Sequence, residues 1–177
     1  MRSSRYFKCS ICGEDHEGLP TDCAYRLPDV VWAIPEADRN QQARFNSDLC
    51  QFGERYFIRC ILAVPFKELP GEFRWGAWVE VKWPTFERYL QIYEEDGSSE
   101  PRHSALLSND LVAYRDSLDV SVLIQFREAS KRPLVSLHGD DEILLAIEQR
   151  EGITDSRYHE VLDIIQSAKV RDNGLLS

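Results

Sequence analysis

Two stretches constrain this chain most: Arg55 to Val64 and Glu72 to Lys82 carry alternating or continuous apolar residues, rich in aromatic and β-branched types. In an extended chain successive side chains point to opposite faces, so this pattern predicts two strands. The buried phase of the first is Ile58, Cys60, Leu62 and Val64, and that of the second is Phe73, Trp75, Ala77, Val79 and Val81. Pro65 and Pro70-Gly71 punctuate them. The turn Phe52-Gly53-Glu54 predicts a hairpin between a strand at Phe45 to Gln51 and the one starting at Arg55.

Beyond Pro84 the period changes, because Phe86, Tyr89, Leu90 and Tyr93 fall at i, i+3, i+4 and i+7, which predicts an amphipathic helix lying on the sheet. The polar run Glu94 to Pro101 predicts an exposed loop. Two further strands, Leu118 to Phe126 and Pro133 to Leu137, are expected to pair with each other. Asp140 to Arg150 predicts a helix stopped by Gly152, and Thr154 caps a last helix with Val161, Leu162, Ile164, Ile165 and Ala168 on its apolar face. Strands followed by helices predict an α+β fold: one mostly antiparallel sheet, helices on one face, and an N-terminal zinc-knuckle-like turn at an edge. With 177 residues, 43% of them hydrophobic, the chain has material for one core. The expectation is a single domain over 1–177, with a metal-knuckle segment at 1–26, sheet plus helix at 27–137 and C-terminal helices at 138–177.

The motif that carries chemistry is Cys9-Ser10-Ile11-Cys12-Gly13. Two thiolates separated by two residues converge on one cation from a tight turn, and Gly13 supplies the positive φ such turns favour. His16 follows four residues after Cys12 and is within reach of the same ion. The fourth ligand is Cys23, Cys50, Cys60 or water. Cys60 falls in the core phase of its strand, and Cys50, near the hairpin turn, is preferred. The expected set is therefore Cys9, Cys12, His16 and Cys50 around Zn2+, in a structural role. Ordinary thiols are the bland reading. A redox role is weak, since the following Gly-Glu-Asp-His-Glu-Gly is a poor helix start. A catalytic zinc needs an open position and a base such as Glu14 or Glu17.

Other chemistry finds little support. His103, His138 and His159 are scattered, no nucleophile-elbow, P-loop or dinucleotide pattern occurs, and no catalytic residue is assigned. The 21 Lys and Arg against 30 Asp and Glu give a net charge of -9, which repels phosphate backbones and anionic lipid. A protein partner of basic character is expected, with no nucleic acid or membrane partner. The first eight residues hold no apolar run of a secretory signal, and Ile61 to Phe66 falls far short of the roughly 20 residues that span a bilayer. A cytoplasmic protein is expected, and an odd number of cysteines, five, suits thiols or metal thiolates there.

One surface adds a candidate. Arg59 is out of phase with Ile58 and Leu62, and Trp78 with Trp75 and Val79, so adjacent strands would bring Arg59 and Trp78 onto one face, with Gly76 leaving room beside them. Arg and Trp are typical interface anchors. The alternative is that a helix simply covers Trp78.

Five stretches together, Cys9 to Pro20, Ser47-Asp48-Leu49-Cys50, Phe57-Ile58-Arg59, Trp75-Gly76-Ala77-Trp78 and Glu148 to Ile153, resemble a bacterial family of uncharacterised proteins, a domain of unknown function. The resemblance spans about Cys9 to Ile153. It implies that Cys9, Cys12, His16 and Cys50 form one site, and a bacterial cytosolic origin, but no activity. Cys60 stands where that pattern has glycine. The leading expectation is thus a non-enzymatic, zinc-stabilised binding or regulatory module. Its rival is a small zinc-dependent hydrolase with an open metal site.

Overall fold

The computed structural model describes residues 6–8, 15–17, 19–171 and 174–176, the first two stretches by their backbone. In chain order the strands are β1 (Tyr6–Lys8), β2 (Asp15–Glu17), β3 (Asp22–Ala24), β4 (Ala43–Phe45), β5 (Leu49–Phe52), β6 (Arg55–Pro65), β7 (Glu72–Val81), β8 (His103–Leu107), β9 (Ser121–Gln125) and β10 (Leu134–Ser136). The helices are α1 (Asp29–Trp32), α2 (Glu36–Gln42), α3 (Trp83–Gln91), α4 (Leu144–Glu151) and α5 (Asp155–Val170). β1 and β2 form a separate antiparallel ribbon.

The main sheet runs β3-β7-β8-β9-β10-β6-β5-β4, and β6 also pairs with β7. Strands β6 to β10 therefore close into a five-stranded barrel. Each of the five is antiparallel to the next, so the fifth runs the same way as the first and the seam has to be parallel. It is: β10 meets β6 in parallel through Leu134 with Ile61 and Val135 with Leu62. The apolar phase of β6 and β7 faces inward, where Ile58, Leu62, Val64, Phe73, Trp75 and Val79 are wholly buried. Val122 and Ile124 of β9 complete this core, which also encloses Cys60.

The expectation of one mostly antiparallel sheet with helices on one face needs correction. Both helices and strands are present, but the sheet is a closed mixed barrel, and helices cover its ends. At one end α3 sets Phe86 5.2 Å from the Tyr56 ring and Tyr89 5.0 Å from Phe126. At the other, Tyr158 of α5 meets Phe66 at 4.8 Å, and Tyr114 meets Trp75 at 6.0 Å. Closure leaves the five barrel strands without a free edge between them, while β3 and β4 form the outer edges of the whole sheet.

The seam has its own device. Gln149 of α4 donates from Nε2 to the Ala63 and Val135 carbonyls, at 3.3 and 2.9 Å, and its Oε1 accepts from the Leu137 N–H at 2.8 Å. One amide thus stitches β6 to β10. Gly152, at φ 86, then lets the chain turn back so that Ile153 N–H reaches the Pro65 carbonyl, and a Cβ there would lie 2.9 Å from that oxygen.

Candidate functional site

The strands β6 and β7 are neighbours, with Arg59 directly opposite Trp78 on the outer face of the barrel. The expected binding surface is nevertheless not open. Trp78 is 0% exposed, its indole N–H donates to the Tyr25 carbonyl at 3.2 Å, and its backbone N–H donates to Asn109 Oδ1 at 2.8 Å. The space beside Gly76 is filled as well, since a Cβ on Gly76 would lie 2.7 Å from Ala24 Cβ. Strand β3 pairs with β7 in the sheet alongside Arg74 to Gly76, and the residue that follows it, Tyr25, meets the Trp78 indole. Trp78 is a packing residue, and Gly76 allows β3 to approach.

Arg59 behaves differently. It is 7% exposed, its Nη1 makes one long bond of 3.3 Å to the Ser47 carbonyl, and among the described residues its Nε has no hydrogen-bond partner. Among the described residues no carboxylate bonds it. Burial, together with the neighbouring Arg132 cation, lowers its basicity, and Asp48 opposes that shift only in part.

The nearby Asp48 is already engaged. Arg132 Nε donates to its Oδ1 at 2.7 Å, while the Tyr93 hydroxyl and Ser47 Oγ donate to its Oδ2, both at 3.0 Å. Burial alone would raise the Asp48 carboxyl, but the bonds from Arg132 and Tyr93 outweigh it and hold it below the usual carboxylate range.

These residues meet at a fork. Along β6 the Arg59 N–H donates to the Asp48 carbonyl at the end of β5, whereas the Ile61 N–H donates to the Pro133 carbonyl at the start of β10. Between the two diverging neighbours a cavity of about 450 Å3 opens, bordered by α3 and by the β9–β10 connection. Ile61, Tyr89, Ile92, Tyr93 and Phe126 give it an apolar and aromatic wall. Arg74, Arg127, Lys131 and Arg132 line it against the acids Asp48, Glu95 and Glu128. Most of these charges are matched, Arg132 by Asp48, Lys131 by Glu128 at 3.6 Å and Arg74 by Glu72 at 2.9 Å.

The metal residues fall elsewhere. Cys9 and Cys12 lie outside the described residues, as does the side chain of His16, whose backbone is in β2. Cys50 sits in β5 opposite Phe57, 1% exposed, and burial pushes its thiol up to about 12. Cys23 of β3 is 4% exposed, with its thiol pushed up to about 11 by the same cause. Among the described residues no group of three or more His, Cys, Asp or Glu comes together to hold a metal. The chain leading from the knuckle is pinned at Thr21, whose carbonyl accepts from Arg74 N–H, and at Pro20, whose carbonyl accepts from the Tyr158 hydroxyl at 2.5 Å. Cys50 shares its row of the sheet with Phe57 and Glu80. From Arg74 to Glu80 is about 20 Å along β7 at roughly 3.3 Å per residue.

Sequence reasoning singled out Arg59 but missed Asp48, Tyr93 and Arg132. A signal existed in Arg127, Lys131 and Arg132, a basic cluster just after an aromatic-ended strand.

Fold and site together define a small closed β-barrel protein with a charged, aromatic-walled cavity where its sheet forks. Residues 8–153 match the family described as uncharacterized protein conserved in bacteria (DUF2199), and the chain belongs to that family. No curated protein and no solved structure matches it.

Proposed function

We propose that this protein is a non-enzymatic binding or regulatory module, stabilised by zinc at its N-terminal knuckle, whose recognition site is the cavity at the fork. The observation that carries this reading is the cavity itself: about 450 Å3, walled by Tyr89, Tyr93 and Phe126, with the Asp48 and Arg132 pair in its lining. Pockets of roughly 300–1,000 Å3 with an apolar wall and a few convergent polar groups are the usual form of small-ligand sites. The acidic exterior favours a protein partner of basic character.

The zinc belongs to the same reading. Cys9, Cys12 and His16 supply three ligands, and Cys50 the fourth. A hydrolase with an open zinc is the second reading, and one observation favours it. Thr21 and Cys50 are far apart on the sheet, while five residues from His16 to Thr21 span at most about 18 Å. A shared site therefore needs that stretch to run almost extended, and without Cys50 water would take the fourth position.

Affinity capture from the native bacterial host, with and without a chelator, tests the module reading when run beside Arg132→Gln and Tyr93→Phe. A specific partner that is lost in the cavity variants supports it. A captured set indifferent to both variants contradicts it. X-ray absorption on the zinc-loaded protein separates the metal readings: four protein ligands for the module, three and a water oxygen for the hydrolase.

A further inference from the structure

The charges around the cavity at the fork cancel. Arg132 is held by Asp48, Lys131 by Glu128 and Arg74 by Glu72, and the two charged lining groups that remain, Arg127 and Glu95, have opposite signs. A charged ligand would shed its hydration and meet only groups that already have partners, so the lining suits an uncharged one.

One polar group in the wall is free. Tyr89 of α3 is 7% exposed, and its hydroxyl has no hydrogen-bond partner among the described residues. Unlike Arg59 Nε and Trp75 Nε1, that hydroxyl is not sealed in the interior. Burial above all, and then the nearby Cys60, Tyr93 and Asp48, hold the phenol protonated well above its usual range, so it is a donor at physiological pH. Tyr93 and Asp48 line the same cavity, and Asp48 is already engaged by Arg132, Tyr93 and Ser47, which leaves the Tyr89 proton unclaimed. A buried hydroxyl without a partner costs roughly 1–3 kcal/mol, and buried tyrosines usually find one. The surface around it is apolar, built from Ile61, Ile92 and Phe126, with the Phe126 ring 5.0 Å from that of Tyr89. Gly97 fixes the loop behind this wall, since a Cβ there would lie 2.9 Å from both Ile92 Cδ1 and Phe126 Cβ.

We infer that the cavity binds an uncharged carbonyl compound with a flat apolar body, its oxygen accepting from the Tyr89 hydroxyl and its body lying against Phe126 and Ile92. This rests on reading the cavity as a recognition site and names the chemical class that the site takes.

The test titrates the full chain with acetophenone, benzoate and toluene, following the δ1 methyl resonances of Ile61 and Ile92 by NMR. Acetophenone is expected to shift both methyls and to bind about tenfold tighter or more than benzoate, which has the same shape but would bury a charge. Tyr89→Phe keeps the ring and removes only the hydroxyl. It is expected to weaken acetophenone about threefold to tenfold, the worth of one neutral hydrogen bond, and to leave toluene, which has no carbonyl, unchanged. Acetophenone labelled with 13C at the carbonyl is expected to move downfield on the wild-type chain, a readout that stands even if the variant does not fold. Benzoate binding as tight as acetophenone overturns the inference, as do an unmoved carbonyl resonance, undiminished acetophenone binding by folded Tyr89→Phe, or no response of the two methyls. If acetophenone fails while Arg132→Gln and Tyr93→Phe still lose a captured partner, the ligand class is wrong and the module reading stands.

Discussion

At the scale of single residues, the two halves of the Arg59 and Trp78 pair part company. Trp78 is enclosed on every side, so Trp78→Ala removes a large packed ring and leaves its cavity behind. A loss of roughly 3–5 kcal/mol in chemical denaturation is expected. A loss below about 1 kcal/mol would mean that the indole is a surface group after all. Strand phase correctly put both residues on one face, because period-two alternation fixes faces. It could not show that Tyr25 meets the Trp78 indole, since Tyr25 is brought there by β3, whose three residues Asp22, Cys23 and Ala24 carry no strand signature of their own. Gly76, first read as open space for a ligand, is where Ala24 comes close.

At the scale of elements, the barrel depends on its parallel seam, where only two residue pairs join β10 to β6. Gln149 bridges that short contact, so Gln149→Ala should strand two carbonyls and an N–H and cost about 2–4 kcal/mol. Gln149→Glu should be no better, because a carboxylate would face the Ala63 and Val135 carbonyl oxygens with no donor to offer. Urea denaturation of both variants checks this, and near-wild-type stability in Gln149→Glu would refute the assigned role. Long elements were legible in the sequence: the alternation of β6 and β7, the helix α3, and the Thr154 cap, whose side chain accepts from Arg157 N–H at 3.2 Å; of the expected α3 face only Phe86 and Tyr89 are buried, while Leu90 and Tyr93, the latter past the helix end, are exposed. The short strand β8 was not, because His103-Ser104-Ala105-Leu106-Leu107 offers a weak alternation and one of its leucines, Leu106, is 41% exposed. Without β8 the ring lacks its middle strand, and an open sheet was the natural expectation. The fork between β5 and β10 is a product of closure, so the cavity and its Asp48–Arg132 pair were hidden with it.

At the scale of the molecule, thiols report on packing and on the knuckle together. Cys23, Cys50 and Cys60 are buried, and burial raises all three thiols, so native protein should resist alkylation at these positions at mildly alkaline pH. With zinc bound, Cys9 and Cys12 should also be protected, and chelation should expose both to iodoacetamide, as mapped by mass spectrometry. Labelling of Cys9 and Cys12 that is unaffected by chelator would contradict the zinc reading. No helix among the described residues is long and apolar enough to cross a membrane.

The central claim is that the cavity at the fork is a recognition site, and affinity capture with Arg132→Gln and Tyr93→Phe, each checked by a thermal melt, tests this most directly. Both residues line the cavity. The account predicts that both variants stay folded and lose a partner that the wild-type chain captures. Folded variants that keep the whole captured set would show that the cavity at the fork is not a recognition site.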